Sequence, residues 1–249
     1  MYTSEFKTDL FQPTYPNERF GEWEFKNIIT GGDRGYWGEL YGMREIAILT
    51  GPSVEGNSSW MSMAAVELES QEIGIRTAHG NVVVLGLGMG WAAVNMAVKE
   101  EVNRVTVVDI NSDVINLIKN CGIFDQLHEA SRNKLEIVEG NALTWRPDHN
   151  VDTLLADIWL KLVEPEKFDQ ARQMQANIQA DQVYVWDQEP EILRLCRARQ
   201  GREVIPDRAL IDTVVTNDIG LPLMLPDWSD FGERLVEMGN WWGRENDAF

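Results

Sequence analysis

Gly86-Leu87-Gly88-Met89-Gly90 follows a short apolar run and leads into a segment of helical character. Glycines spaced this way let a chain turn tightly out of a strand and bring its backbone close to a ligand. The polar part of that ligand then meets the amide groups of the helix N-terminus. Nineteen residues beyond Gly90, Asp109 closes a second apolar run. A carboxylate there is placed to accept hydrogen bonds from the 2′ and 3′ hydroxyls of a ribose. Strand, glycine turn, helix, strand and terminal acid together predict a site for a nucleoside-containing cofactor. The competing explanation is architectural: glycines for close strand–helix packing, and Asp109 as a cap for the next helix. The register Gly88-Met89-Gly90-Trp91-Ala92-Ala93 also spells the dinucleotide fingerprint GxGxxA. However, the turn should begin where the strand ends, at Gly86, and from there the sixth position is the bulky Trp91, where a small residue is wanted.

Two later strand tips carry further polar groups. One reads Glu139-Gly140-Asn141-Ala142, the other Ala156-Asp157-Ile158-Trp159. In chain order GLGMG, VTVVDI, EGNA and LADIW resemble the successive motifs of class I S-adenosylmethionine-dependent methyltransferases. The nearest branch is the spermidine-synthase-like one, which also sets a small β-rich element before its Rossmann-like core. The resemblance spans about residues 81–186. It implies S-adenosylmethionine as cofactor and a small molecule as methyl acceptor. By the same resemblance, Gly86, Leu87, Gly88 and Gly90 line the methionine part, Asp109 holds the ribose and Ile110 packs on adenine. Asn141 stands where the family usually has Asp, and its amide oxygen can still accept from the adenine amino group; Ala142 offers a backbone N–H. Asp157 falls beside the methionine moiety and is the first choice for a polar group near the reacting centre. Aminopropyltransferases of the branch carry an acidic pair with small hydroxyl residues after the fourth strand. Here Asp157 is followed by Ile158, Trp159 and Leu160, so that dyad is missing. Aminopropyl transfer remains the alternative enzyme reading, and a catalytically silent nucleoside-binding or scaffold protein the non-enzymatic one.

Other groups fall on the same functional edge. Of ten tryptophans, Trp159 and Trp186 follow or end strands, and strand C-termini form the ligand face of an open parallel sheet. They either wall a methyl acceptor, with cation–π attraction for a sulfonium, or pack as ordinary rim residues. Trp60, behind the Gly56-Asn57-Ser58-Ser59 stretch, belongs either to a lid or to a helix face against the sheet. Asp187 is a candidate base and Gln188 a candidate substrate contact; the rival reading has Gln188 or Glu189 capping the following helix. His79, His128 and His149 lie far apart in sequence, which gives no basis for a metal site or a Ser/His/Asp triad.

These residues need a scaffold that gathers strand ends. Residues 1–77 read as a small β-rich region with strands at 23–29 and 45–50, joined by glycine-rich turns to a lead-in helix at 59–72. Residues 78–249 read as an α/β, Rossmann-like domain: a mostly parallel sheet with helices on both faces. Strands are expected at 82–85, 104–108, 134–138, 151–156 and 182–186, with helices at 91–99, 112–120, 164–180 and 190–200. Beyond them, 211–216 has the β-branched look of a strand, 221–228 of an extended loop and 231–238 of a short helix. From Trp241 a loose tail is expected, with Trp241 and Trp242 able to dock.

Composition narrows the class. The 249 residues are 44% apolar, which excludes a disordered or collagen-like chain. Two lone cysteines, Cys121 and Cys196, make no disulfide framework. The first ten residues lack the basic and apolar runs of a signal peptide, and no window is apolar enough to span a membrane; a cytoplasmic protein is expected, with a homodimer possible in principle. Net charge is −18, which disfavours nucleic acid and favours cationic or neutral small molecules. Arg194, Arg197, Arg199 and Arg202 read as the solvated face of a helix.

Overall fold

The computed structural model describes residues 5–42, 44–161 and 164–246, with side chains as far as Trp242. Residues 1–4 of the segment weighed as a signal peptide, and 247–249 of the tail, lie outside the described residues. The N-terminal region holds β1 (Glu18–Phe20), β2 (Trp23–Thr30), β3 (Asp33–Arg34), β4 (Leu40–Tyr41), β5 (Arg44–Val54) and β6 (Asn57–Ser62), and then α1 (Ala65–Thr77). The core follows as β7 (Gly80–Leu85), α2 (Trp91–Ala97), β8 (Val102–Asp109), α3 (Ser112–Asn120), α4 (Glu129–Arg132), β9 (Leu135–Glu139), β10 (Thr153–Ala156), α5 (Lys167–Ile178), β11 (Gln182–Val185) and α6 (Glu189–Gln200). Two more helices, α7 (Arg208–Val214) and α8 (Phe231–Asn246), complete the chain.

The fold class is the expected one. Five parallel strands pair in the order β11-β10-β7-β8-β9, the Rossmann-like order in which the chain starts centrally, moves outward one way and then the other. Right-handed crossovers place α2 and α3 on one face and α5 on the opposite face. Val82, Val83, Val84 and Leu85 of β7 are all buried, as the central strand of a doubly covered sheet must be. Strand direction reverses its march between β7 and β10, so the crevice outside their C-terminal ends is the natural ligand position. The N-terminal sheet is antiparallel, in the order β1-β2-β5-β6, and shares one continuous hydrophobic core with the parallel sheet. Among the described residues no helix is long and apolar enough to cross a membrane.

Three sequence expectations are corrected. The segment 59–72 is not one helix: Asn57–Ser62 is strand β6, paired with β5 through a turn in which Glu55 and Gly56 both have positive φ, the hairpin geometry that Gly favours. Helix α1 begins only at Ala65, whose amide donates to Asp33 Oδ2 at 2.5 Å, so its start is set by a distant residue rather than by Ser58 or Ser59. Residues 211–216 are not a strand: they lie in α7 and the turn after it. Asp207 caps that helix by accepting from the Leu210 amide at 2.8 Å, and Leu210, Ile211 and Val214 are buried. Spacing at 3.6 residues per turn overrides β-branching there. The last helix runs to Asn246 instead of ending near Met238. Trp242 does dock, donating through Nε1 to the Tyr36 carbonyl at 2.9 Å, and the Arg34 guanidinium stacks on Trp241. The extended 221–228 segment adds one parallel bridge, Leu223 to Val183, beside β11.

Candidate active site

A cavity of about 420 Å³ opens at the C-terminal ends of β7, β8 and β10 and is roofed by the N-terminal sheet. Strand order fixes its layout. Asp109 and Asn141, at the tips of β8 and β9, lie to one side of the glycine turn; Asp157 and Trp186, beyond β10 and β11, lie to the other.

Gly86 is where the main chain bends. Its φ is +98°, and a Cβ there would run into the Asp157 carbonyl oxygen, so this glycine is required both by conformation and by the neighbouring strand. Gly86, Leu87 and Gly88 line the cavity. Gly90 does not appear in the wall: it starts α2 in a left-handed conformation, and a Cβ there would meet Phe124 at 2.9 Å. Asp109 lines the cavity with both oxygens anchored. Oδ2 accepts from the Leu87 amide at 2.8 Å and Oδ1 from the Asn111 amide at 2.7 Å. Burial raises its pKa and those two amides oppose the rise. Capping of α3 falls to Asn111, whose Oδ1 accepts from Asp113 and Val114, so Asp109 is not the cap.

Ile110 lines the mouth and is 69% exposed, which for a large aliphatic group leaves a bare face for a flat partner. Asn141 and Ala142 also line the cavity. The Asn141 Oδ1 already accepts from the Leu143 amide at 2.9 Å, which orients the side chain.

On the other side, Asp157 meets two groups that the motifs did not point to. Gln71 and Glu67, one turn apart on α1, both line the cavity. Gln71 donates through Nε2 to Asp157 Oδ2 at 3.1 Å. Gln71 is 1% exposed, and its Oε1 has no partner. Burial, with Asp187 adding to it and Lys167 opposing, pushes the Asp157 pKa up to about 7. Burial and then the Asp157 charge push Glu67 up to about 8. No Lys, Arg or His lines the cavity among the described residues.

Trp60, Trp159 and Trp186 are all in the wall, together with Trp23. Their polar edges are spent on protein. Trp60 Nε1 donates to the Pro52 carbonyl at 2.9 Å, Trp159 to Gln170 Oε1 at 2.7 Å and Trp186 to Ser70 Oγ at 2.9 Å. Trp60 stacks at a tilt on Trp23, centroids 4.9 Å apart. Trp60 thus belongs to a strand of the roof, not to a helix face. The signal for Glu67 and Gln71 was faint: polar residues four apart on a helix whose other positions are mostly core.

Asp187 and Gln188 sit elsewhere. Both are buried and neither lines the cavity. Gln188 braces two segments, accepting from the Val185 amide at 3.2 Å and donating to the Met224 carbonyl at 2.6 Å. It opens α6 without a side-chain cap bond. Asp187 holds a positive φ of 59°, and its Oδ2 accepts from Lys167 Nζ at 3.4 Å. The Tyr36 hydroxyl lies 2.9 Å from both Asp187 Oδ1 and Glu189 Oε2. One hydroxyl proton serves one acceptor, so a carboxyl of this trio must itself be protonated. Glu189 is the natural carrier, its pKa pushed up to about 8 by burial, while Asp187 rises to about 7.

No protein-family model matches the chain, and no curated protein matches it. Among solved structures it is similar to the glycopeptide N-methyltransferase MtfA complexed with S-adenosyl-L-homocysteine, at 18% identity over 44% of this chain and 41% of that one, TM-score 0.35. It is similar also to the methyltransferase domain of bacterial CtHen1-C, at 17% identity over 45% and 59% of the two chains, TM-score 0.35. A third is DhpI in complex with S-adenosylhomocysteine, at 19% identity over 42% and 45%, TM-score 0.31. The chain thus spans between 41% and 59% of these proteins. These likenesses go no further than the fold.

Proposed function

We propose that this chain binds S-adenosylmethionine in the cavity outside β7, β8 and β10 and directs transfer of its methyl group to a small molecule. Asp109 carries the reading. Its carboxylate is fixed by two backbone amides at the tip of β8, beside the glycine turn and in the cavity wall, and a carboxylate so held retains lone pairs for a ribose diol.

The rest of the wall fits the same ligand. Ile110 offers an apolar face for adenine, and Asn141 and Ala142 lie at the adjacent strand tip. Toward β10, Glu67 and Asp157 are carboxyls that an incoming cation would draw into their charged form, and Trp60, Trp159 and Trp186 have their N–H groups spent on protein. Bound S-adenosylmethionine supplies an electrophilic methyl group on a positively charged sulfur. The chain's own part is to hold, align and dry the reactants. Gln71, with Nε2 held by Asp157, keeps Oε1 for a donor on the acceptor molecule, an N–H or O–H. Asp157, titrating near 7, is suited to take a proton from that group. Asp187 acts, on this reading, through the buried trio behind Trp186 and does not touch substrate. Residues 1–77 are the roof region and 78–249 the cofactor-binding domain. Partners are small molecules, not nucleic acid or membrane.

Aminopropyl transfer is a second reading, favoured by one observation: the described wall has three carboxylates and no cation to pair with a methionine carboxylate. Calorimetry with S-adenosylhomocysteine, S-adenosylmethionine, its decarboxylated form and NAD separates the readings, with labelled methyl transfer to an amine and alcohol panel. Methyl transfer supports the first, exclusive use of the decarboxylated donor the second, and binding without turnover a silent protein. Binding of none of the adenosyl ligands refutes both enzyme readings and nucleoside binding, and leaves a scaffold.

A further inference from the structure

The glycine turn is not an open cradle. Met61, on β6, reaches across from the N-terminal sheet and lies against it, 9% exposed. A Cβ at Gly88 would sit 2.5 Å from the Met61 sulfur, so the face that Gly88 leaves bare is occupied by this thioether. The Met89 amide donates to the same sulfur at 3.2 Å. Three neighbouring amides are also taken: Gly86 donates to the Val108 carbonyl, Leu87 to Asp109 and Gly90 to the Leu87 carbonyl, which leaves the Gly88 amide for a ligand. A glycine turn at a helix start normally offers such amides to the anionic part of a ligand. Here the Met89 amide is held by a thioether, which is a weak acceptor, and no Lys, Arg or His among the described cavity residues substitutes for it.

We propose that Met61 is a specificity-determining residue that occupies the seat of the donor's amino-acid tail. Its sulfur holds the Met89 amide, so a ligand whose α-carboxylate is to gain that bond as well as the Gly88 amide must first expel the Met61 side chain. The inference rests on the adenosyl-binding reading above and adds how that site treats the two ends of the ligand. Recognition is concentrated on the nucleoside, and the tail contributes little to affinity while Met61 is in place.

The test compares S-adenosylhomocysteine, which has the tail, with 5′-methylthioadenosine, which has the same nucleoside and thioether without it. Calorimetry on the wild-type protein should give affinities within about threefold of one another. In Met61→Ala the tailed ligand should gain about tenfold over the tail-less one, as one charge-assisted bond to a freed amide allows. Met61→Leu keeps the packing volume of the roof and removes the sulfur; the same ratio should move in the same direction by a smaller factor. A wild-type protein that already prefers S-adenosylhomocysteine tenfold or more overturns the proposal, as does an unchanged ratio in both variants. If 5′-methylthioadenosine binds and the ratio behaves otherwise, only the role of Met61 fails. If neither ligand binds, the nucleoside reading fails and takes this inference with it.

Discussion

Asp109→Asn perturbs the proposed ribose site most directly, because it removes a charge and one acceptor while keeping the shape of the side chain. Each Asp109 oxygen already accepts one amide, from Asn111 at 2.7 Å and from Leu87 at 2.8 Å, and each keeps one lone pair for a hydroxyl. A hydrogen bond to a charged group contributes about 1.5–3 kcal/mol. Loss of the charge and of one acceptor should therefore weaken S-adenosylhomocysteine by about 100-fold or more. The variant's new NH2 group also faces an amide donor at Leu87 or Asn111, which loosens the glycine turn and affects any ligand. A 2′-deoxy analogue separates the two effects. Calorimetry on the wild-type protein should show a loss of about tenfold when the 2′ hydroxyl is removed, and the variant should show almost none, a coupling readable as a thermodynamic cycle. If the wild type binds the deoxy analogue as well as the parent, or if the variant retains the same penalty, Asp109 does not hold the ribose.

Two further predictions concern the frame around that site. Gly86→Ala places a Cβ against the Asp157 carbonyl at a left-handed φ and should cost more than about 2 kcal/mol in urea unfolding. Gly220→Ala, at φ +70° with open space around it, should cost only about 1 kcal/mol; equal losses would show that the close strand contact at Gly86 is unimportant. Stability should also fall as pH rises from 5 to 8, the reverse of the usual carboxylate effect. The folded pKa values of Asp157 and Asp187 are raised to about 7 and those of Glu67 and Glu189 to about 8. The folded state therefore binds more protons than the unfolded one throughout that window, and each group can weaken it by up to about 1.4 kcal/mol per pH unit. Glu189→Gln, a neutral mimic of the protonated trio, should flatten the decline in Tm; a Tm that climbs from pH 6 to pH 8 contradicts the assignment.

What the sequence made legible follows from where its signals are local. The apolar runs of β7 and β8, the glycine turn and Asp109 lie within 30 residues, so their spacing alone implies the parallel core and sets Asp109 beside the glycine turn. Toward β10 the sequence pointed to Asp157, Trp159 and Trp186 but not to Glu67 and Gln71, which join them only in three dimensions. Gln71 and Asp157 are 86 positions apart, and nothing about a glutamine on a mostly buried helix marks it as a cavity residue. The start of α1 was misplaced for the same reason, since its amide is received by Asp33 from another segment. At α7 the error was of a different kind. A β-branched run suggested a strand, while the Asp207 cap and the helical spacing of Leu210, Ile211 and Val214 prevailed. Asp187 and Gln188 lie at a strand end as expected, but the fold turns both inward, one to a tyrosine hydroxyl and the other to the main chain.

The segment just before the first sheet also reaches the glycine turn. Phe11 receives the Trp91 indole proton at 3.0 Å and sends its own amide to Asn95 Oδ1 at 2.7 Å, while the Tyr15 hydroxyl donates to the Met89 carbonyl at 3.0 Å. The bend at the start of α2 is thus held both by Met61 and by this strap, each from the N-terminal third of the chain. A core cut free at residue 78 would lose both of these holds on the turn together with α1, whose Gly74 lies against Leu155 and Tyr184 of the parallel sheet.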